Sequence, residues 1–196
     1  MEKLIIRRAL LSVTDKTDLA QFASFLHEQG VEIVSTGGTY KHLCDHGLPV
    51  TPVSEVTQFP EILGGRVKTL NPRIHGGILA DKDKPDHLET LAAHKIMPFD
   101  LVCVNLYEFS KALEKNLDPL AMIEEIDIGG PCLLRASAKN FNSVLVLPDP
   151  SYYPCAKEQI ARGHVDLDLR IRMAALAFQI TSNYDAMIHN WLQTQL

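Results

Sequence analysis

Residues 31–39 read VEIVSTGGT, an apolar β-branched run that breaks into two glycines flanked by hydroxyl residues and then enters a segment of helical periodicity. A strand that passes through a tight glycine turn directly into a helix is half of a βα crossover. Such units generate parallel sheets, because parallel strands need long connections and those connections are right-handed. This single stretch therefore points to an α/β chain.

The rest of the sequence repeats the alternation. Residues 8–13 (RALLSV) read as a strand, and residues 15–29 as a helix with Leu19, Phe22, Ala23 and Leu26 on one face, stopped by Gly30. Residues 31–35 form the next strand and 39–46 a short helix ended by Gly47; residues 50–53 read as a third strand. Residues 54–75, rich in Gly, Pro and charge, read as a loop with little to bury. A helix over 86–94 capped by Asp86, a strand over 101–105, a helix over 117–125 and a helix over 132–139 follow. A last strand at 143–147 precedes helices over 153–162 and 168–193. The predicted fold is an open, mostly parallel sheet with helices on both faces, plus C-terminal helices, in one domain over residues 1–196. In such sheets ligands collect beyond the carboxyl ends of the strands. Ser12, Thr36 and Asn105 lie at or beside three of those ends.

Composition narrows the function. With 46% hydrophobic and 22% charged residues in 196, the chain can bury one core. Its net charge of −5, with scattered cations, gives no footprint for a nucleic-acid backbone. No apolar run approaches a membrane span and residues 1–13 are no secretory signal, so the expectation is cytoplasmic. Cys44, Cys103, Cys132 and Cys155 are too far apart for a metal motif, and His42 and His46 have no third ligand, so no metal or cofactor is expected.

Several residues have both a chemical and a plain reading. The Ser35-Thr36-Gly37-Gly38-Thr39 turn presents backbone N–H groups and hydroxyls at a helix N-terminus, a cradle for a phosphate, or simply makes the turn. Ser12 and Lys16 would suit the same anion, or cap a helix beside a surface lysine. Arg66 and Lys68 in GGRVKTL point the same way if extended, for a ligand or for solvent. Tyr107 is a rim hydroxyl or a capping ring. Asp127 and Lys139 form a proton-transfer pair or a structural salt bridge.

Taken in order, STGGT, LGGRVKTLNPRIHGGIL, NLY, IDIGGPCLLRASAKN and NYDAMI closely resemble the IMP cyclohydrolase domain of the bifunctional purine biosynthesis enzyme, over essentially the whole chain. The resemblance implies a methylglyoxal synthase-like fold, a homodimer, and in the family a fused AICAR formyltransferase domain, which this chain is expected to lack. It implies dehydrative closure of 5-formamidoimidazole-4-carboxamide ribonucleotide to IMP, a reaction of the hydrolase class. Matched residue by residue, it implies that Lys68, Tyr107, Asp127 and Lys139 are catalytic, Lys68 donating to the formyl oxygen, Tyr107 orienting the reacting groups, and Asp127, coupled to Lys139, taking the carboxamide proton. Ser12, Lys16, Thr36, Gly37, Gly38 and Thr39 would hold the phosphate, Arg66, Thr69 and the Asp127-Ile128-Gly129 backbone would lie near base and ribose, and Asn105 is a further substrate-binding candidate. Two positions depart from the family pattern: Asn71 stands where histidine is expected and Glu108 where proline is usual. A phosphate-eliminating lyase of the methylglyoxal synthase type, or a non-catalytic nucleotide-binding module, would share the phosphate turn but give Lys68 and Asp127 less to do.

Overall fold

The computed structural model describes residues 2–106, 109–115 and 117–196. In chain order the elements are β1 (Lys3–Leu4), β2 (Arg8–Ser12), α1 (Leu19–Glu28), β3 (Glu32–Ser35), α2 (Gly37–Asp45), β4 (Thr51–Pro52), α3 (Val53–Thr57) and α4 (Pro72–Leu79). Then come α5 (Pro85–Ala93), β5 (Leu101–Val104), α6 (Phe109–Glu114), α7 (Pro119–Glu124), α8 (Gly129–Lys139), β6 (Leu145–Leu147), α9 (Tyr153–Ala161), β7 (Val165–Asp166) and α10 (Leu167–Gln193).

Five strands form one parallel sheet in the order β4-β3-β2-β5-β6. Strands β2, β5 and β6 are buried almost throughout, as expected where helices cover both faces. Leu10, Leu11, Val102 and Val146 are fully shielded, each worth about 1.5–3 kcal/mol by burial. From β2 the chain moves outward to β3 and β4, then returns to β2's other side to lay down β5 and β6. The order therefore reverses beside β2, and the crevice at that reversal is where a sheet of this type leaves room for a ligand.

Three local expectations are corrected. Residues 54–75 are not all loop: α4 begins within them and buries Ile74 and Ile78 completely. Asn71 caps α4, its side-chain Oδ1 accepting the Arg73 amide at 2.8 Å, and Pro72 takes the first helical position, where its missing N–H is harmless. The third strand shrinks to Thr51–Pro52 because Val53 already starts α3. In α5, Lys84 is the capping residue and Pro85 opens the helix, while Asp86 stands in the first turn. A small antiparallel pair, β1 with β7, ties the N-terminal segment to the chain just before α10. The buried Arg170 guanidinium fastens that region, donating to the carbonyls of Glu2, Phe141 and Asn142.

At the amino ends of the strands a second network closes the sheet. The Lys82 ammonium donates to the carbonyls of Phe99 (2.8 Å) and Ser143 (2.9 Å) and pairs with the Asp100 carboxylate. The other oxygen of Asp100 accepts the amides of Arg7 and Arg8, both at 2.8 Å. Among the described residues no helix is long and apolar enough to cross a membrane.

Candidate active site

At the carboxyl ends of β2, β3 and β5 lies a cleft of about 660 Å³, a volume suited to a small organic ligand. One wall comes from β3 and α2. The glycines predicted to precede a helix are its first turn: α2 starts at Gly37, with φ of +44° there, and Tyr40 is the first residue to donate back, to the Thr36 carbonyl at 3.0 Å. The amides of Gly37, Gly38 and Thr39 have no helical acceptor and sit where the helix carries positive partial charge. The Ser12 and Thr36 hydroxyls are bonded to each other at 2.9 Å on the cleft wall. Lys16 also lines the cleft, its Nζ resting on the Thr14 carbonyl at 3.2 Å.

Two residues expected to touch ligand are occupied in holding the cleft's shape. Thr39 is buried, and its hydroxyl both accepts from the Val13 amide (3.0 Å) and donates to the Val13 carbonyl (2.9 Å), locking α2 against the end of β2. Asn105 accepts the amides of Thr14 (2.7 Å) and Asp15 (3.0 Å) and donates to the Asp15 carbonyl (3.1 Å), clamping the loop that follows β2. Both still line the cleft.

The opposite wall is the segment 61–70, folded on itself by an antiparallel bridge between Ile62 and Val67. Arg66 reaches across to α7, where its guanidinium forms a two-point pair with Glu124. Lys68 pairs with Glu61 at 3.0 Å, and Thr69 is buried beside α8. Neither Glu61 nor Glu124 was foreseen from sequence; each is a carboxylate that the fold, rather than a motif, brings to a cleft cation.

The floor is the stretch Ile126 to Gly130 at the start of α8, a second helix N-terminus aimed at the same space. Asp127 Oδ1 accepts the Gly130 amide at 3.0 Å, folding the carboxylate back over the helix start. That arrangement requires glycine: a Cβ on Gly130 would stand 2.3 Å from Asp127 Oδ2 and 2.7 Å from Leu106 Cδ2. A Cβ on Gly129 would approach the Thr69 hydroxyl to 3.0 Å. From below, the Tyr184 hydroxyl accepts the Asp127 amide at 2.7 Å. Burial pushes that phenol up to about 12, so it stays neutral at physiological pH. Ile123 and Ile128 are exposed on this side and give the cleft an apolar patch.

Lys139 does not join the group. It is the last residue of α8, exposed, and ten residues of helix from Gly129 amount to roughly 15 Å. A coupled Asp127–Lys139 pair within one chain is therefore corrected: the helix that starts at the cleft carries the lysine away from it. Tyr107 and Glu108 lie outside the described residues. Asn71 is turned to helix capping, and the four cysteines are unpaired thiols, with Cys103 buried against the Tyr153 hydroxyl and pushed up to about 12 by burial. Among the described residues no group of three or more His, Cys, Asp or Glu is placed to hold a metal ion.

Comparison with known proteins bears on this cleft. Residues 18–132, more than half of the chain, match the family of MGS-like domains, and residues 137–196 match the AICARFT/IMPCHase bienzyme family. The chain is 49% identical over 190 residues to the bifunctional purine biosynthesis protein PurH of Sinorhizobium medicae, covering 97% of this chain and 35% of that protein. It is 52% identical over 186 residues to PurH of Leuconostoc mesenteroides, covering 94% of this chain and 37% of the relative. The chain thus spans little more than a third of these relatives. A crystal structure of ForH superposes with a TM-score of 0.83 at 35% identity, over 94% of this chain and 97% of that one.

Proposed function

The chain belongs to the family of MGS-like domains that occur in the AICARFT/IMPCHase bienzyme, and from that premise we propose that its cleft is an IMP cyclohydrolase site, closing the formylated carboxamide ribonucleotide to IMP. The observation that carries the reading is the convergence on a single cleft of two helix N-termini, three cations (Lys16, Arg66, Lys68) and, besides the Glu61 and Glu124 carboxylates that pair with Lys68 and Arg66, the Asp127 carboxylate on the floor. An anionic nucleotide fits such a field, and a carboxylate at its floor supplies the base that phosphate binding alone does not need.

In the proposed reaction the carboxamide nitrogen attacks the formyl carbon of the same molecule. Because both groups are already joined, the site has mainly to hold the formyl rotamer and move protons. Asp127 takes one hydrogen from the carboxamide nitrogen while Lys68 gives one to the formyl oxygen. The resulting hydroxyl then leaves as water, with loss of the formamide N–H, which balances the conversion. Each proton step is worth about 10² to 10⁴ in rate. The phosphate rests on the amides of Gly37, Gly38 and Thr39 with Ser12, Thr36 and Lys16, and the base lies between Arg66, Thr69 and the Asp127-Ile128-Gly129 backbone. Tyr107 belongs to the same proposal as an orienting hydroxyl. Lys139 acts in no step that its own chain's cleft performs. A homodimer in the cytoplasm, coupled to formyltransferase chemistry, completes the reading.

The test is direct incubation with the formylated carboxamide ribonucleotide, following IMP by ultraviolet absorbance. IMP formation that falls at least 100-fold in Lys68→Ala and in Asp127→Asn supports the assignment. Absence of IMP from the wild-type chain, or undiminished rates in both variants, overturns it.

A further inference from the structure

The segment that carries Lys68 is a narrow hairpin. Ile62 and Val67 exchange both backbone hydrogen bonds, Ile62 N to Val67 O at 3.2 Å and Val67 N to Ile62 O at 3.4 Å. The next pair outward, Glu61 and Lys68, is thereby a non-hydrogen-bonded pair, the antiparallel position at which side chains come closest. Their charged ends meet at 3.0 Å.

Glycine makes room for this pair on both sides. Gly65, with φ of +97°, lies where a Cβ would stand 2.6 Å from Glu61 Oε1 and 3.8 Å from Lys68 Nζ. On the far side a Cβ on Gly37 would approach Lys68 Nζ to 3.1 Å. The ammonium is therefore held between the hairpin and the turn at the start of α2, with Glu61 as its anchor.

Stability does not account for the arrangement. Side-chain exposures of 28% for Lys68 and 45% for Glu61 leave the pair well hydrated, and exposed pairs of this kind add little to folding. Binding does not account for it either. A carboxylate in a cleft that must accept an anion opposes the ligand, so Glu61 lowers affinity unless it serves another step. What it does supply is a fixed origin for a long and otherwise mobile lysine.

We propose that Glu61 is a positioning residue for Lys68, trading some affinity for the anionic nucleotide against a Lys68 ammonium held in register with the reacting oxygen. This rests on the reading of Lys68 as the proton donor given above.

The experiment compares the wild-type chain with Glu61→Gln and Glu61→Asp in the cyclisation assay, with thermal unfolding of each. For Glu61→Gln the expectation is a kcat lowered about tenfold or more together with a KM that falls severalfold, since one opposing charge has gone; Glu61→Asp should regain part of kcat. A mere loss of folded protein would lower kcat and leave KM where it was. Wild-type kcat in Glu61→Gln, or a raised KM, overturns the positioning role while leaving the cyclohydrolase reading intact. No IMP from the wild-type chain overturns that reading and the positioning role with it. Should Glu61→Gln fail to fold, Glu61→Asp decides alone: kcat reduced severalfold in protein whose thermal midpoint matches the wild type supports the role, and unchanged kcat overturns it.

Discussion

The hydroxyl of Tyr184 accepts the backbone amide of Asp127 at 2.7 Å, across 57 residues of sequence, so the long C-terminal helix holds the one carboxylate on the cleft floor. The ring itself is wedged edge-on against Phe109, which in turn meets Trp191. Tyr184→Phe keeps this packing and leaves the Asp127 amide without its acceptor. The expected result is a stability loss of about 1–3 kcal/mol, with kcat for cyclisation lowered about tenfold and KM little changed. Denaturant unfolding and steady-state kinetics on the same preparation check both halves.

Gly130→Ala is expected to be more harmful to activity than its size suggests. The added methyl would collide with the Asp127 carboxylate and with Leu106, so the carboxylate must swing away from the helix start. A kcat loss of about 10² is expected if Asp127 is the base. Gly129→Ala, where the nearest contact is the Thr69 hydroxyl at 3.0 Å, should be milder.

At the other end of the sheet, Lys82→Met tests stability in isolation. It strands the Asp100 carboxylate, which is almost fully shielded, with only two amides as partners. Breaking a buried pair of this kind costs about 3–5 kcal/mol. The midpoint of urea unfolding should fall accordingly, while KM of the folded enzyme stays at the wild-type value.

His75 predicts a pH dependence. It is half-buried in α4, its Nε2 has no hydrogen-bond partner among the described residues, and burial holds its pKa below the ordinary value. The unfolded chain then takes up a proton near pH 6.5 that the folded chain refuses. The contribution is present above that pH and is lost as pH falls through the lowered folded value. Thermal midpoints measured between pH 8 and 5 should decline below about pH 6.5, and His75→Gln should flatten that decline; an unchanged slope in the variant would exclude His75 as its source.

The parallel core and the two glycine turns at the cleft were legible because each is written locally as an apolar run, a glycine pair and a periodic segment, but α2 and α8 begin earlier than expected, at Gly37 and Gly129, because the glycines themselves form the first turns. The start of α4 was also written, as Asn71 followed by Pro72, but the glycines at 76 and 77 disguise a helix that packs Gly77 tightly under Met97 and Phe99. Other features have no local signature. The Tyr184 contact, the Arg66 pair with Glu124 and the β1–β7 pairing join residues far apart in the chain, and nothing in either partner's own neighbourhood announces the other. Lys139 shows the converse. Motif order put it beside Asp127, whereas the rise of a helix separates residues that a sequence motif lists together.

The Lys82–Asp100 network at the amino ends of the strands has a practical consequence for anyone wishing to re-engineer this chain. None of its hydrogen bonds involves residues 59–70. Changes to the hairpin bearing Arg66 and Lys68 thus leave the hydrogen bonds of that network in place, so ligand reading and this anchor of the scaffold are separable targets.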